Sequence, residues 1–423
     1  MRIAILTWGT RGDVQPYLAL AKGLAARGHA VSLAAPDNFQ PWIESHGVVF
    51  RGMGADLEAL LQTPELQRAL AGDWLGVARI WRERLRPLIL HSLEATSAAA
   101  REAELIVHHP KVVGAPDVAE ATGAALVCLS PVPMLPTGAF PALITTRNFG
   151  PRLNRLTWSV FRLARAPYSG MIDAWRKRAL GLGPGRKFSQ VGEGAALRLT
   201  AVSPAVLERP ADWPPNGQLS GYLFLEEGAD WRPDPALAAF LQAGPPPVYI
   251  GLGSMTLRDP EAATRRLLAA ARQAGVRALI AGGWGGLSAA ETGGADAHFI
   301  TSAPHDALFP HMAAVVHHAG AGTTAAGLRA GKPSLGLPQA VDQPFWAARI
   351  AALGCGPAPL RLRQANVDTL AARLRALVET RAYRTNAAAV AGRIAQENGL
   401  ATTIALLEAA ALRLAADRCA PPT

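Results

Sequence analysis

Short apolar runs alternate with amphipathic stretches twice along this chain. In the first half, Ile3 to Trp8 reads as a strand, Val14 to Arg27 as a helix ended by Gly28, and Ala30 to Ala35 as a second strand. Phe39 to Ser45 follows as a short helix and Val48 to Arg51 as a strand. Leu105 to His108 and Ala125 to Leu129 are later apolar runs of strand length. The pattern starts again with strands predicted at Val248 to Leu252, Ala278 to Ala281, Ala314 to His317 and Ser334 to Leu337, with helices between them. Strands alternating with helices predict a doubly wound parallel sheet, whose ligands sit beyond the carboxyl ends of the strands. Two such series make an α/β chain of two facing Rossmann-like domains with a cleft between them.

Residues 1–220 form the first expected domain and 248–398 the second. The linker is placed at 221–247, where Asp230-Trp231-Arg232-Pro233 and Pro245-Pro246-Pro247 break regular structure. In 399–423, the Ala/Leu-rich run Gly399 to Leu414 reads as a terminal helix.

A chain of 423 residues accommodates two or three domains, each able to bury its own core. With 41 Gly and 33 Pro and half its residues hydrophobic, it is a loop-rich globular protein rather than a disordered or fibrous one. Cys128, Cys355 and Cys419 are too few and scattered for a disulfide framework or a zinc site, so a reducing compartment is expected. Arg2 to Trp8 is strand-length and runs into a glycine turn, unlike a signal peptide, and no apolar run reaches the ~18 residues that span a bilayer. The expected location is the cytoplasm, with the inner membrane surface as the further option.

That option comes from the uneven placing of the net charge of +10. Segment 147–187 holds ten basic residues against one acid, Asp173, interleaved with Phe149, Leu153, Leu156, Trp158, Phe161, Leu163 and Trp175. Two readings stand: a solvated arginine face, or a basic amphipathic surface making peripheral contact with anionic lipid. No nucleic-acid-binding module accompanies the charge, and no nucleic-acid partner is expected.

The candidate chemistry begins at His317-His318-Ala319-Gly320-Ala321-Gly322-Thr323-Thr324. A strand, a glycine turn and a helix start follow one another there, an arrangement that aims backbone N–H groups at an anion such as a diphosphate. Asp342-Gln343 supplies carboxylate and amide groups suited to bidentate contact with vicinal sugar hydroxyls. In the loop Gly9-Thr10-Arg11-Gly12-Asp13-Val14-Gln15-Pro16, Asp13 reads either as a helix N-cap or as a catalytic carboxylate. His108-His109 ends a later strand, and His109 either meets Asp13 or the acceptor, or finishes the strand at the domain interface.

His318, the Gly-Ala-Gly-Thr-Thr turn, Pro333, Pro338 and Asp342-Gln343-Pro344 resemble the donor signature of the inverting UDP-sugar glycosyltransferases of the GT-B fold. Gly9 to Pro16, Ile250-Gly251-Leu252-Gly253-Ser254-Met255, Gly283-Trp284-Gly285-Gly286-Leu287 and Pro304-His305-Asp306-Ala307-Leu308-Phe309-Pro310 resemble the sterol and lipid glucosyltransferase branch, in its order. The resemblance spans nearly the whole chain and is loose from about Gly52 to Pro214. It implies Asp13 as the general base, with His109 beside it, in a cleft whose apolar walls raise the carboxylate pKa. Implied donor contacts are Gly12, Gly253, Ser254, Trp284 and His318, with Gly320, Gly322, Thr323, Asp342 and Gln343. Met134, Leu135 and Phe140 are the expected acceptor contacts.

The donor favoured by Gln343 is UDP-glucose, with a TDP-sugar as the alternative; it is a co-substrate, and no cofactor is expected. No Asp-x-Asp motif is present to hold a divalent cation, so metal independence is expected. The apolar hydroxylated acceptor is a sterol or lipid, or alternatively a polyketide, macrolide or carotenoid. Three rival readings fit the chain less well. A sugar-nucleotide epimerase wants a glutamate-rich cleft; a non-catalytic partner would have lost Asp13, His318 or Gln343; a nicotinamide enzyme wants G-x-G-x-x-G after the first strand, which Gly9 to Val14 does not supply.

Overall fold

The predicted strands pair in register into two separate parallel sheets. In the computed structural model, described for all residues except 55–82, 84–85, 144, 146, 166–167, 186–191, 254–258, 283–286, 288–295 and 420–423, the first sheet has seven strands. They are β1 (Arg2–Leu6), β2 (Ala30–Ala35), β3 (Val49–Gly52), β4 (Leu105–His108), β5 (Ala125–Ser130), β6 (Leu197–Thr200) and β7 (Gly217–Leu219), in the spatial order 3-2-1-4-5-6-7. The second sheet, ordered 10-9-8-11-12, contains β8 (Val248–Gly251), β9 (Ala278–Ala281), β10 (Ala297–Ile300), β11 (Ala314–His317) and β12 (Ser334–Gly336). β6, β7 and β10 are additions to the strands predicted from the apolar pattern.

Each order reverses once, between β1 and β4 and between β8 and β11. The chain leaves neighbouring strands toward opposite faces there, which opens a crevice at their carboxyl ends. The register carries the loops into it: Leu6 pairs with His108 at one crevice, and Gly251 with His317 at the other.

The helices used below are α1 (Arg11–Ala26), α2 (Pro151–Thr157), α3 (Ser159–Arg165), α4 (Pro235–Gln242), α5 (Ala321–Arg329), α6 (Gln343–Ala352) and α7 (Gly399–Cys419). α4 lies inside the segment expected to be a linker. Asp234 caps it by accepting from Leu237 N–H at 2.9 Å, and its Leu237 and Phe240 pack with Tyr249, Leu279 and Phe309 of the second domain. α7 returns to the first domain, where Ile404 and Leu407 join the core formed by Leu18, Leu20 and Leu24 of α1. Full burial of each such side chain stabilises the packing by about 1.5–3 kcal/mol.

Candidate active site

The first crevice holds the predicted base. Helix α1 begins at Arg11, three residues before the predicted start, so Asp13 sits in its first turn and Thr10 is the cap residue. Asp13 Oδ2 accepts the Thr10 backbone N–H at 2.9 Å, while Oδ1 lies 2.7 Å from Lys111 Nζ and 3.3 Å from His109 Nε2. Asp13 is thus not the N-cap but the third residue of the helix, completing a capping box with Thr10 through Oδ2 while Oδ1 faces His109 and Lys111. His109 Nδ1 accepts the Lys111 backbone N–H at 3.0 Å, which leaves the ring proton on Nε2, the nitrogen nearest Asp13. Gly9 makes the carboxylate position available: its φ is +144°, and a Cβ there would stand 2.0 Å from Asp13 Oδ2.

Burial alone would raise the Asp13 pKa, as the sequence reading expected. The Lys111 ammonium, with a smaller contribution from His109, overrides it and holds the carboxyl well below the usual carboxylate range. The expectation of a raised pKa is thus corrected by a residue the sequence analysis did not single out. Burial lowers the His109 pKa, against the opposing pull of Asp13. The pair at neutral pH is a carboxylate beside a neutral imidazole.

The second crevice is built around His318. Gly253 and Gly320 press on its ring: a Cβ on Gly253 would lie 2.7 Å from Cε1, and one on Gly320 2.4 Å from Nε2. Burial holds His318 down to about 4, so the ring is neutral, and its buried Nδ1 has no hydrogen-bond partner among the described residues. Ala319 turns the chain at φ +62°, and Gly320 caps α5, whose first-turn N–H groups have no partner within the helix. Gly322 is exposed with open space where a Cβ would stand, and Thr323 follows in the same turn. Gly12, also exposed and open, has no packing reason to be glycine. Ser254 and Trp284 lie outside the described residues.

The loop after β12 is braced by its own candidates. Gln343 Oε1 accepts the N–H groups of Gln339 at 2.8 Å and Ala340 at 3.3 Å, and Asp342 Oδ2 accepts Trp346 Nε1 at 2.9 Å. Val341 between them is held at φ +57° with its side chain 69% exposed, an uncommon backbone state for a β-branched residue. Burial raises the Asp342 pKa, and the negative charge of Asp13 adds to the rise. The Lys111 charge acts to lower both the Asp13 and the Asp342 carboxyl.

Of the predicted acceptor residues, Phe140 packs on Trp158 with ring centroids 6.0 Å apart and on Phe345 at 5.1 Å. Phe345 belongs to α6, two residues after Gln343, so this aromatic wall joins the domains beside the donor loop. Met134 packs against the same cluster around Ala142, Leu143 and Trp158. Leu135 is buried at the sheet edge, against the position of Gly217 in β7. Lys111 and Phe345 are the residues sequence reasoning missed. A lone lysine two residues past His109 carries no periodic signal, and Phe345 reads as an ordinary residue of its helix.

The basic segment resolves into paired and unpaired cations. Arg155 bridges Asp212 at 2.8 Å, Arg178 bridges Glu94 at 2.6 Å, and buried Arg176 contacts Asp117 and Glu120. Arg162, Arg165, Arg186 and Lys187 have side chains outside the described residues. Leu153, Leu156 and Leu163 are 54%, 64% and 63% exposed on α2 and α3, and Phe149 just before them is 40% exposed, with the Arg147 guanidinium over its ring. No helix among the described residues is long and apolar enough to cross a membrane.

Two parallel-sheet α/β domains are the architecture of the GT-B glycosyltransferases. Residues 3–113 match the glycosyltransferase family 28 N-terminal domain, and residues 296–407 match the C-terminal domain described as erythromycin biosynthesis protein CIII-like. An O-mycaminosyltylonolide 6-deoxyallosyltransferase of Streptomyces fradiae is 34% identical over 96% of this chain and 97% of its own length. The chain belongs to this glycosyltransferase family. Sterol 3-beta-glucosyltransferases of Arabidopsis thaliana and Yarrowia lipolytica are 34% and 33% identical over 90% and 96% of the chain, which spans 63% and 28% of their lengths. Among solved structures, the glycotransferase of kitacinnamycin superposes with a TM-score of 0.73 at 18% identity, covering 97% of this chain and 98% of that one. The glycosyltransferase VinC, solved with DTDP, gives 0.68 at 20% identity, covering 98% and 100%. At such identities these two structures show the fold alone.

Proposed function

We propose that the enzyme moves a hexose, glucose from UDP-glucose in the favoured reading, to a hydroxyl of an apolar acceptor such as a sterol or lipid, with inversion. The observation that carries this reading is the Asp13 carboxylate held beside His109 and Lys111 at one switch point, with the glycine-flanked His318 at the other. Asp13 takes the acceptor proton while the acceptor oxygen bonds to the anomeric carbon and the bond to the diphosphate breaks. The charge leaving on the diphosphate is met by the α5 amides at Gly322 and Thr323, the Ser254 hydroxyl and His318, which donates through a ring N–H. These groups need no divalent cation, and turnover is expected to survive chelation. Asp342 and Gln343 read the sugar hydroxyls, and Trp284 forms part of the nucleotide wall.

The aromatic wall of Phe140, Trp158 and Phe345 suits a flat apolar acceptor. Exposed Leu153, Leu156 and Leu163 beside Arg147 and Arg152 support a peripheral contact with anionic lipid on the cytoplasmic side, which would bring a lipid-dissolved acceptor near that wall. A second reading, glycosylation of a macrolide or polyketide from a TDP-sugar, is favoured by the Streptomyces fradiae relative, which this chain matches over nearly its full length. A transfer screen of UDP-glucose, UDP-galactose and a TDP-sugar against sterols, glycolipid precursors, carotenoids and macrolides separates the two. A glucosylated sterol or lipid supports the first reading; transfer only to a soluble macrolide, or only from the TDP-sugar, replaces it with the second.

A further inference from the structure

We infer that Lys111 is a detachable counter-ion of the reaction: its ammonium occupies Asp13 Oδ1 before the acceptor arrives and is displaced into solvent by the acceptor hydroxyl. The inference rests on the reading of Asp13 as the base, and it asks what that carboxylate must do to become one.

Both oxygens of Asp13 are engaged. Oδ2 holds the backbone N–H of Thr10 at a helix start, where the donor cannot move without unwinding the turn. Oδ1 faces His109 at 3.3 Å and Lys111 at 2.7 Å. The His109 ring is 3% exposed, anchored through Nδ1 and packed on Tyr17 with centroids 5.8 Å apart. Lys111 is 51% exposed on a four-carbon stem, so it is the partner of Oδ1 that can leave at small cost.

It also has reason to leave. A carboxylate paired with an ammonium is a weak base, because the proton it accepts must be added beside a positive charge. Removing the ammonium restores basicity as the acceptor O–H takes its place on Oδ1.

The charged and titratable groups that act on Asp13 or feel its charge are the buried Tyr17 phenol of α1, His109 and Lys111 of the loop after β4, and Asp342 of the second domain. Of the two cation-capable partners at Oδ1, Lys111 is the exposed one, so the displaced ammonium passes to water. In the chemical step the acceptor proton goes to Asp13, the acceptor oxygen forms the glycosidic bond, and the nucleoside diphosphate leaves with the bonding pair. Lys111 neither gains nor loses a proton. Its role is positioning and charge control.

The test is the pH dependence of kcat/KM for the acceptor in the full-length enzyme and its Lys111→Met and Lys111→Arg variants, each checked for an unchanged melting temperature. Lys111→Met is expected to move the acidic limb up by at least about one pH unit, a tenfold loss at a pH on that limb. It should also lower the acceptor KM at pH 8, where no counter-ion has to be displaced. Lys111→Arg should keep the wild-type limb but lower kcat, because a guanidinium forks onto the carboxylate and leaves it less readily. A limb and KM unchanged in Lys111→Met overturn the proposal. Asp13→Asn separates this from failure of the underlying reading: full turnover in Asp13→Asn removes Asp13 as the base, and with it the premise. Loss of turnover in Asp13→Asn beside an unmoved limb in Lys111→Met removes only the role of Lys111.

Discussion

Glu227, in the segment joining the two domains, accepts a hydrogen bond from Arg11 Nη2 at 2.7 Å, two residues before Asp13. The same carboxylate accepts Trp42 Nε1 at 2.9 Å and Gln15 Nε2 at 3.3 Å, and the Arg11 guanidinium lies over the Trp42 ring at 4.6 Å. On its other side, the Glu227 and Gly228 backbone N–H groups bond to Asp306 Oδ2 at 3.1 and 2.8 Å. The connecting segment therefore ties the Asp13 loop of one domain to the His305-Asp306 turn of the other.

Replacing Glu227 by Ala should leave the Trp42 indole without its partner and loosen this tie. A loss of about 1–3 kcal/mol of stability is expected, with a fall in kcat/KM of roughly tenfold and little change in donor affinity. Thermal melts, steady-state kinetics and donor titration measure the three. Wild-type kinetics in Glu227→Ala would show that the tie does not position the base.

Gly9→Ala places a methyl group where Asp13 Oδ2 now lies, at a φ that disfavours an L-residue. Turnover should drop at least about tenfold, and stability by about 1–3 kcal/mol, as the carboxylate is pushed from its seat. Comparison with Gly28→Ala, a positive-φ glycine with open space around it, isolates the clash from backbone strain alone.

His318→Ala should weaken the nucleoside diphosphate by about 1.5–3 kcal/mol, the range for a hydrogen bond to a charged group, or roughly ten- to a hundredfold in Kd. Calorimetric titration with UDP and TDP reads this directly. An unchanged Kd for both would remove His318 from the phosphate site.

Burial holds His305 and His318 at about 4 and pushes His317 well below the ordinary imidazole range, against about 6.5 in an unfolded chain. A depressed pKa means that the unfolded chain binds more protons below pH 6.5, so stability is full above that value. It is lost as pH falls from 6.5 toward 4. Each such histidine adds a slope approaching about 1.4 kcal/mol per pH unit in that window. The depressed Asp13 pKa has the same sign but acts only below about 4, where an unfolded carboxylate would protonate. Denaturant midpoints between pH 7 and pH 4.5 should fall steadily; a flat profile would mean that these rings are hydrated or partnered.

Much of this arrangement was legible in the chain, and what was not has physical causes. The strands nearest the two crevices announce themselves because burial on both faces selects unbroken apolar runs such as Ile3-Ala4-Ile5-Leu6 and Val315-Val316. β6 carries Arg198, β7 is three residues long, and β10 is only partly buried throughout, so each is defined by its pairing partner rather than by composition. Asp13 and His318 were marked by the glycine turns around them. Lys111 was not, because its role comes from the adjacency of β1 and β4, which places residues 98 positions apart within a hydrogen bond. The basic run 147–187 misled in size, since three of its cations are committed to acids elsewhere in the fold.

The most direct measurement is single-turnover transfer by the wild-type enzyme and Asp13→Asn, with whichever donor and acceptor the screen identifies, alongside calorimetric donor binding to both. The account predicts glycoside from the wild type, and in Asp13→Asn an unchanged donor Kd with transfer slowed by about 10²–10⁴-fold. Transfer by Asp13→Asn at the wild-type rate would contradict it.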